Sequence, residues 1–243
     1  MITPRSVAAL ALTRRPRPAR FVAALSGFVA MLAASAPAGA QWGGGPRADR
    51  GAAPGNFDHY VLALSWSPSF CIREGLRKQR SQCDVGQRLG FVVHGLWPQY
   101  ASNGYPSECA PSPRFPSRMA LRAADGVFPD EGLARHEWRV HGTCSGSTAV
   151  DYFRDVRRAR DAVTIPNDYR QASGPFRANA MELKRAFVAA NPRLRVDMID
   201  VSCSRGALQE IYICFSKDLR SFAPCGDMGP PRCRAGFEVP PPR

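Results

Sequence analysis

Three of the four histidines in this 243-residue chain fall in two short segments. The first reads Phe91-Val92-Val93-His94-Gly95-Leu96-Trp97-Pro98-Gln99, the second His136-Glu137-Trp138-Arg139-Val140-His141-Gly142-Thr143-Cys144. A histidine that ends a strand and is followed at once by glycine sits on a rigid element with an open approach. On a helix, Glu137 and His141 are four residues apart and share a face, with His136 at its edge. A zinc protease needs H-E-x-x-H, so that two imidazoles one turn apart reach one ion. Here the spacing is H-E-x-x-x-H, and the extra residue turns the second histidine by about 100°. No G-x-S-x-G elbow offers a serine nucleophile, and cysteines held in bridges cannot attack. What survives is acid–base chemistry by two imidazoles beside a carboxylate.

Charge narrows the substrate. The chain carries 33 Lys and Arg against 20 Asp and Glu, a net +13, which favours polyanionic partners. RNA is the polyanion that brings its own nucleophile, the 2′-hydroxyl. One imidazole removes that proton while the other protonates the leaving 5′-oxygen, and the phosphorane between them needs cationic or hydrogen-bonding support. DNA lacks the hydroxyl. Two other classes fit the same charge: a catalytically weak RNA binder, and an exported basic protein that binds envelope polyanions.

The elements that must hold these groups are legible in coarse form. His59 to Trp66 alternates, with Tyr60, Leu62, Leu64 and Trp66 on one side, and predicts a strand. Arg88 to His94 predicts a second. Arg195–Cys203 and Leu208–Lys217 predict a late antiparallel pair joined through Ser204-Arg205-Gly206. Apolar stripes predict helices over 148–162 and 178–190. Residues 100–130, with Pro106, Pro111, Pro113, Pro116 and Pro129, read mostly as loop. Strands and helices do not alternate regularly, so the fold class is α+β: a central antiparallel sheet with packed helices, loop-rich and stapled by disulfides. Trp66 and Trp138 read as core and His59 as structural. Arg154, Arg157, Arg158 and Arg160 read as a solvated helix face.

The N-terminus reads as an export signal. Arg5, Arg14, Arg15, Arg17 and Arg20 precede a short run of small apolar residues from Phe21 to Ala36, and Ala38-Gly39-Ala40 offers a cleavage site. The expected organisation is a signal peptide over 1–40, a flexible lead-in over 41–55, one domain over 56–238 and a loose Pro-rich tail over 239–243. The mature product is expected to be secreted or periplasmic, without membrane insertion. The eight cysteines, Cys71, Cys83, Cys109, Cys144, Cys203, Cys214, Cys225 and Cys233, suit an exported disulfide framework. Eight cysteines allow 105 pairings, and spacing alone does not choose among them.

FVVHGLWPQ and HEWRVHGTC closely resemble the two active-site motifs of the ribonuclease T2 family. The resemblance runs over about residues 57–237 and takes in YVLALSWSPSFC and the closing C…EIYIC…C…C pattern. It implies an α+β endoribonuclease, exported, needing no metal or cofactor, that acts on RNA as a monomer and yields 2′,3′-cyclic phosphates. His141 then matches the base and His94 the acid. His136 matches a phosphate-contacting histidine, and Glu137 the carboxylate that supports the transition state. Trp97 matches a base-pocket aromatic, and Tyr105 is a second pocket candidate from its position. The resemblance also implies Cys109–Cys144, Cys203–Cys233 and Cys214–Cys225 bridges, which leaves Cys71 with Cys83. One departure stands out: relatives carry lysine immediately before the last histidine, and this chain has Val140. If that leaves a cation site empty, Val140→Lys should raise kcat. If Arg139, about 100° away on a helix, or an arginine of the 73–88 segment supplies the charge, activity should stay flat or fall.

Overall fold

The protein is described here from a computed structural model. The described residues are 47–242, apart from 76–80, 85, 103, 230 and 234. The expected signal peptide lies outside them. The strands are β1 Ala48–Arg50, β2 His59–Trp66, β3 Phe91–Gln99, β4 Tyr105–Ser107, β5 Phe176–Ala178, β6 Ile199–Ser204, β7 Ala207–Ser216 and β8 Phe237–Val239. The α-helices are α1 Ser67–Phe70, α2 Arg118–Ala124, α3 Glu131–Val140, α4 Ala149–Asp161, α5 Asn167–Arg170 and α6 Ala180–Ala190.

The sheet is built around β2, antiparallel to β3 on one side and to β7 on the other. β6 pairs antiparallel with β7, and Arg205 and Gly206, both at positive φ, turn the chain between them. Such a turn matches the twist of the strands it joins. The sheet is mixed rather than purely antiparallel, because β8 meets the start of β7 in parallel register. Alternation along β2 works as expected. Tyr60, Leu62, Leu64 and Trp66 enter the main core with the helices, while Val61 and Ala63 join a smaller cluster with Tyr212, Cys214 and Cys225. Both late helices carry the caps their sequences encode. Thr148 accepts from Asp151 N at the start of α4, and Asn179 and Glu182 form a capping box on α6. On the arginine-rich face of α4, Arg154 and Arg158 pair with Asp151 and Asp155 one turn back, while Arg157 donates to the Ala123 and Asp125 carbonyls and half-buried Arg160 to the Val163 carbonyl.

Four expectations change. β3 does not end at His94 but continues to Gln99. Residues 100–130 contain a strand and a helix, because Ser117, just past the proline cluster, caps the helix-forming run RMALRAA. Residues 47–55 are not a free lead-in: β1 pairs in parallel with β4, and Gly55 N donates to the Cys144 carbonyl. The tail begins inside the core, where Val239 and Pro240 are buried and the Pro240 carbonyl accepts from Trp66 Nε1. Composition describes these segments as loose, but each finds a strand edge or a buried donor.

The bridges are Cys71–Cys83, Cys109–Cys144, Cys203–Cys233 and Cys214–Cys225, as the resemblance implied. Each is worth about 2–4 kcal/mol, chiefly by restricting the unfolded chain. Among the described residues no helix is long and apolar enough to cross a membrane.

Candidate active site

His94 sits at a fault in the sheet. Ala63 pairs with Gly95 and Leu64 with Val93, so His94 is skipped in the pairing with β2. A bulge of this kind bends the strand and re-aims a side chain, which turns the imidazole out of the ladder's ordinary alternation. Gly95 beside it has no alternative. A Cβ there would stand 2.1 Å from Glu137 Oε2 and 2.4 Å from Trp97 Nε1. The glycine leaves room for a carboxylate to reach the strand.

That carboxylate comes from α3. Asp130 caps the helix by accepting from Leu133 N at 2.9 Å, and the helix buries Ala134, Glu137 and Trp138 on one face. Glu137 is only 1% exposed. Its Oε2 accepts from Trp97 Nε1 at 2.7 Å, and its Oε1 lies 3.6 Å from His94 Nε2. Burial pushes the Glu137 carboxyl up to about 7, against the pull of His94 and of the Trp97 hydrogen bond.

His141 is the residue that ends α3. Its N–H still bonds to the Glu137 carbonyl at 2.9 Å, and the chain then tightens into a short 3₁₀ turn over Gly142–Ser145. Gly142 allows this, since a Cβ would meet the Trp138 ring at 2.5 Å. The turn is tied to the segment after β4 by Glu108 N to the Val140 carbonyl, Cys109 N to Thr143 Oγ1, and the Cys109–Cys144 bridge. The His141 ring lies between aromatic neighbours, with Trp97 at 5.1 Å and Tyr105 at 5.9 Å between centroids. Its Nδ1 is buried and finds no hydrogen-bond partner among the described residues. Burial, then the charges of His94 and His136, lowers its pKa to about 3.

His94 has the opposite setting. Burial disfavours its charge, but a hydrogen bond from Nδ1 to Glu210 Oε1 at 2.5 Å, with the charges of Glu210 and Glu137, raises the pKa to about 9. Glu210 is not among the sequence-predicted site residues: Leu208–Lys217 reads as a strand and EIYIC as part of the closing cysteine pattern. The available signal was an acid in the middle of an otherwise apolar strand.

A cleft of about 610 Å³ opens against His94, Glu210, His136 and Arg139, with Arg73, Arg114 and Arg135 also in its wall. His136 and Arg139 are three residues apart on α3, and an Arg139 guanidinium nitrogen donates to His136 Nδ1 at 3.1 Å. Burial and the Arg139 charge lower the His136 pKa, and with the guanidinium on Nδ1 the ring carries its proton on Nε2. Val140 is not among the cleft residues. Nor are Trp97 and Tyr105, whose rings the structure brings to His141 instead.

Residues 57–225 match the Ribonuclease T2 family. The chain belongs to that family. It is 36% identical over 191 residues to a ribonuclease of Aeromonas hydrophila, covering 71% of this chain and 78% of the relative. It is 31% identical over 172 residues to a probable ribonuclease of Haemophilus influenzae, covering 66% and 58%. Among solved structures it resembles RNase NT in complex with 5′-AMP, with a TM-score of 0.61 at 21% identity, covering 76% of this chain and 99% of that one. Ribonuclease T2 membership identifies the activity class as endonucleolytic cleavage of RNA.

Proposed function

We propose that this chain is an exported, metal-independent endoribonuclease that cleaves single-stranded RNA by transphosphorylation, with His141 as base and His94 as acid. The observation that carries the reading is the opposite setting of two imidazoles packed on one indole. His94 lies 5.2 Å and His141 5.1 Å from Trp97 between ring centroids. Two carboxylates hold the first protonated, and a buried aromatic site holds the second neutral. A base and an acid in complementary states are what a concerted in-line displacement requires.

Neutral His141 takes the 2′-hydroxyl proton as that oxygen bonds to phosphorus. The P–O5′ bond breaks as His94 Nε2–H protonates the departing oxygen. The products are a 2′,3′-cyclic phosphate and a free 5′-hydroxyl. Glu137, buried between Trp97 Nε1 and His94 Nε2, supports the transition state as a carboxylate behind the acid, while His136 Nε2–H and Arg139 donate to phosphorane oxygens from the cleft wall. Arg139 stands in for the lysine of relatives: position 139 shares the helix face of His136 that opens on the cleft. Trp97 spends its N–H on Glu137, so its indole face and the Tyr105 ring act as a stacking wall beside His141. A stacked base there is worth about 1–3 kcal/mol. Export follows from the N-terminal signal and agrees with the four bridges.

The decisive assay is a gel of single-stranded RNA incubated with the protein in EDTA. Cleavage to cyclic phosphate ends is expected, with DNA left intact. Loss of activity in EDTA with recovery on zinc, or equal cleavage of DNA, overturns the reading. Retardation of RNA without cleavage assigns the chain to binding instead.

A further inference from the structure

We propose that Glu210 is the positioning residue of the acid: its carboxylate grips His94 by Nδ1 and so aims Nε2 at the leaving oxygen. The inference rests on the reading of His94 as the acid.

A bulged residue has no pairing partner on β2 to orient it, and the His94 side chain is 34% exposed. Something must hold the ring. Glu210 lies on β7, with Ser65 of β2 as its register partner, and its side chain is 8% exposed. A carboxylate that deep must be fully paired to be tolerated. Its Oε1 accepts from Ser65 Oγ at 2.7 Å and from His94 Nδ1, and its Oε2 accepts from Tyr212 Oη at 2.6 Å. Tyr212 Oη in turn accepts from Arg232 at 3.0 Å. Arg232 immediately precedes Cys233, whose bridge to Cys203 pins this segment to β6. The carboxylate is therefore fixed by two hydroxyls, one of them itself held by Arg232, before it touches His94.

With Nδ1 committed to Glu210, Nε2 is the ring nitrogen left for the substrate. The bond also favours the imidazolium, the form an acid needs at the start. Other charged or titratable groups around the ring are Glu137 from α3 and the imidazoles of His136 and His141. Glu137 adds negative charge, but it lies 3.6 Å away on the Nε2 side. When Nε2–H protonates the 5′-oxygen, the ring becomes neutral and keeps its Nδ1 proton on Glu210. No proton passes to Glu210, so it positions without exchanging anything.

The test compares two substrates with Glu210→Gln. A dinucleotide has an alkoxide leaving group that needs the acid, whereas a nucleoside 3′-(4-nitrophenyl phosphate) releases a stable phenolate that does not. The variant is expected to lose about tenfold to a hundredfold in kcat on the dinucleotide, part of the ~10²–10⁴ a positioned acid contributes. On the aryl ester it should lose less than about threefold. Equal losses on both substrates, or none on either, overturn the proposal, since a merely structural role would not distinguish leaving groups. NMR titration of His94 in the unaltered protein keeps the idea falsifiable if the variant fails to fold. Titration well above the ordinary imidazole value of about 6.5 is expected, and titration at or below it overturns the proposal. If the unaltered protein cleaves no RNA while His94 still titrates high, the catalytic reading fails and the Glu210–His94 pairing stands.

Discussion

The two central histidines are held by different means. His94 is placed by a sheet: a bulge turns it out, and carboxylates from α3 and β7 surround it. His141 is placed by the end of a helix, flanked by Trp97 and Tyr105, with an Nδ1 that finds no partner among the described residues. The same side chain is thus driven toward charge in one place and away from it in the other. What differs is whether burial is answered by negative charge.

The contrast breaks most sharply when either ring is removed. His94→Ala and His141→Ala should each lose about 10²–10⁴-fold in kcat with the fold intact. The double variant should lose far less than the product of the two, since the groups act in one step. A fully multiplicative loss in steady-state kinetics would count against concerted action.

The pH profile tests the difference in setting. Lowering pH through about 3 protonates His141 and removes the base. Raising it through about 9 deprotonates His94 and removes the acid. Activity on a dinucleotide should therefore hold between these limits and fall on both sides. A profile that rises steadily toward alkaline pH would contradict the assignment.

Gly95→Ala should push the Glu137 carboxylate away from Trp97 and His94, since the new Cβ would overlap it. About 1–3 kcal/mol of stability should go with it, read by thermal unfolding alongside activity. Unchanged activity would mean that Glu137 need not approach the strand.

The smaller effects concern the phosphate cation. Arg139→Ala should reduce kcat about tenfold, equivalent to ~1.4 kcal/mol of transition-state stabilisation. Val140→Lys, by contrast, should leave kcat nearly flat, because position 139 already faces the cleft with His136. A large gain from Val140→Lys at low salt would reverse this and mark an empty cation site. His59→Ala should change least: His59 is buried at the start of β2, opposite Gln99 and four residues from the Ala63–Gly95 pair beside His94.

Much of this site is written locally. Spacing alone rejects the zinc reading, and motif resemblance supplies His94, Glu137, His141 and His136. Alternation along β2 and the stripes of α4 and α6 are visible because period reports which face is buried. Arg139 illustrates the limit. Helix geometry sets it about 100° from its neighbours, but only the walls of the cleft show which of those directions is occupied by substrate. Residues 47–55 and 239–240 look loose for a similar reason, since their partners are distant in sequence.

The sequence by itself therefore determined the chemistry on offer: two imidazoles, a carboxylate, a basic chain and a set of cysteines suited to export. The resemblance already implied which imidazole is acid and which is base; tertiary structure alone decided how differently the two are set, and the proposed choice rests on that difference. That choice depends on Glu210, which lies 116 residues from His94 and reaches it through the register of three strands. It depends as well on a bulge that exists only once β2 and β3 are paired. Local patterns report which side of an element is buried, whereas a proton's preference is set by charges and desolvation summed over everything the fold brings within a few ångströms.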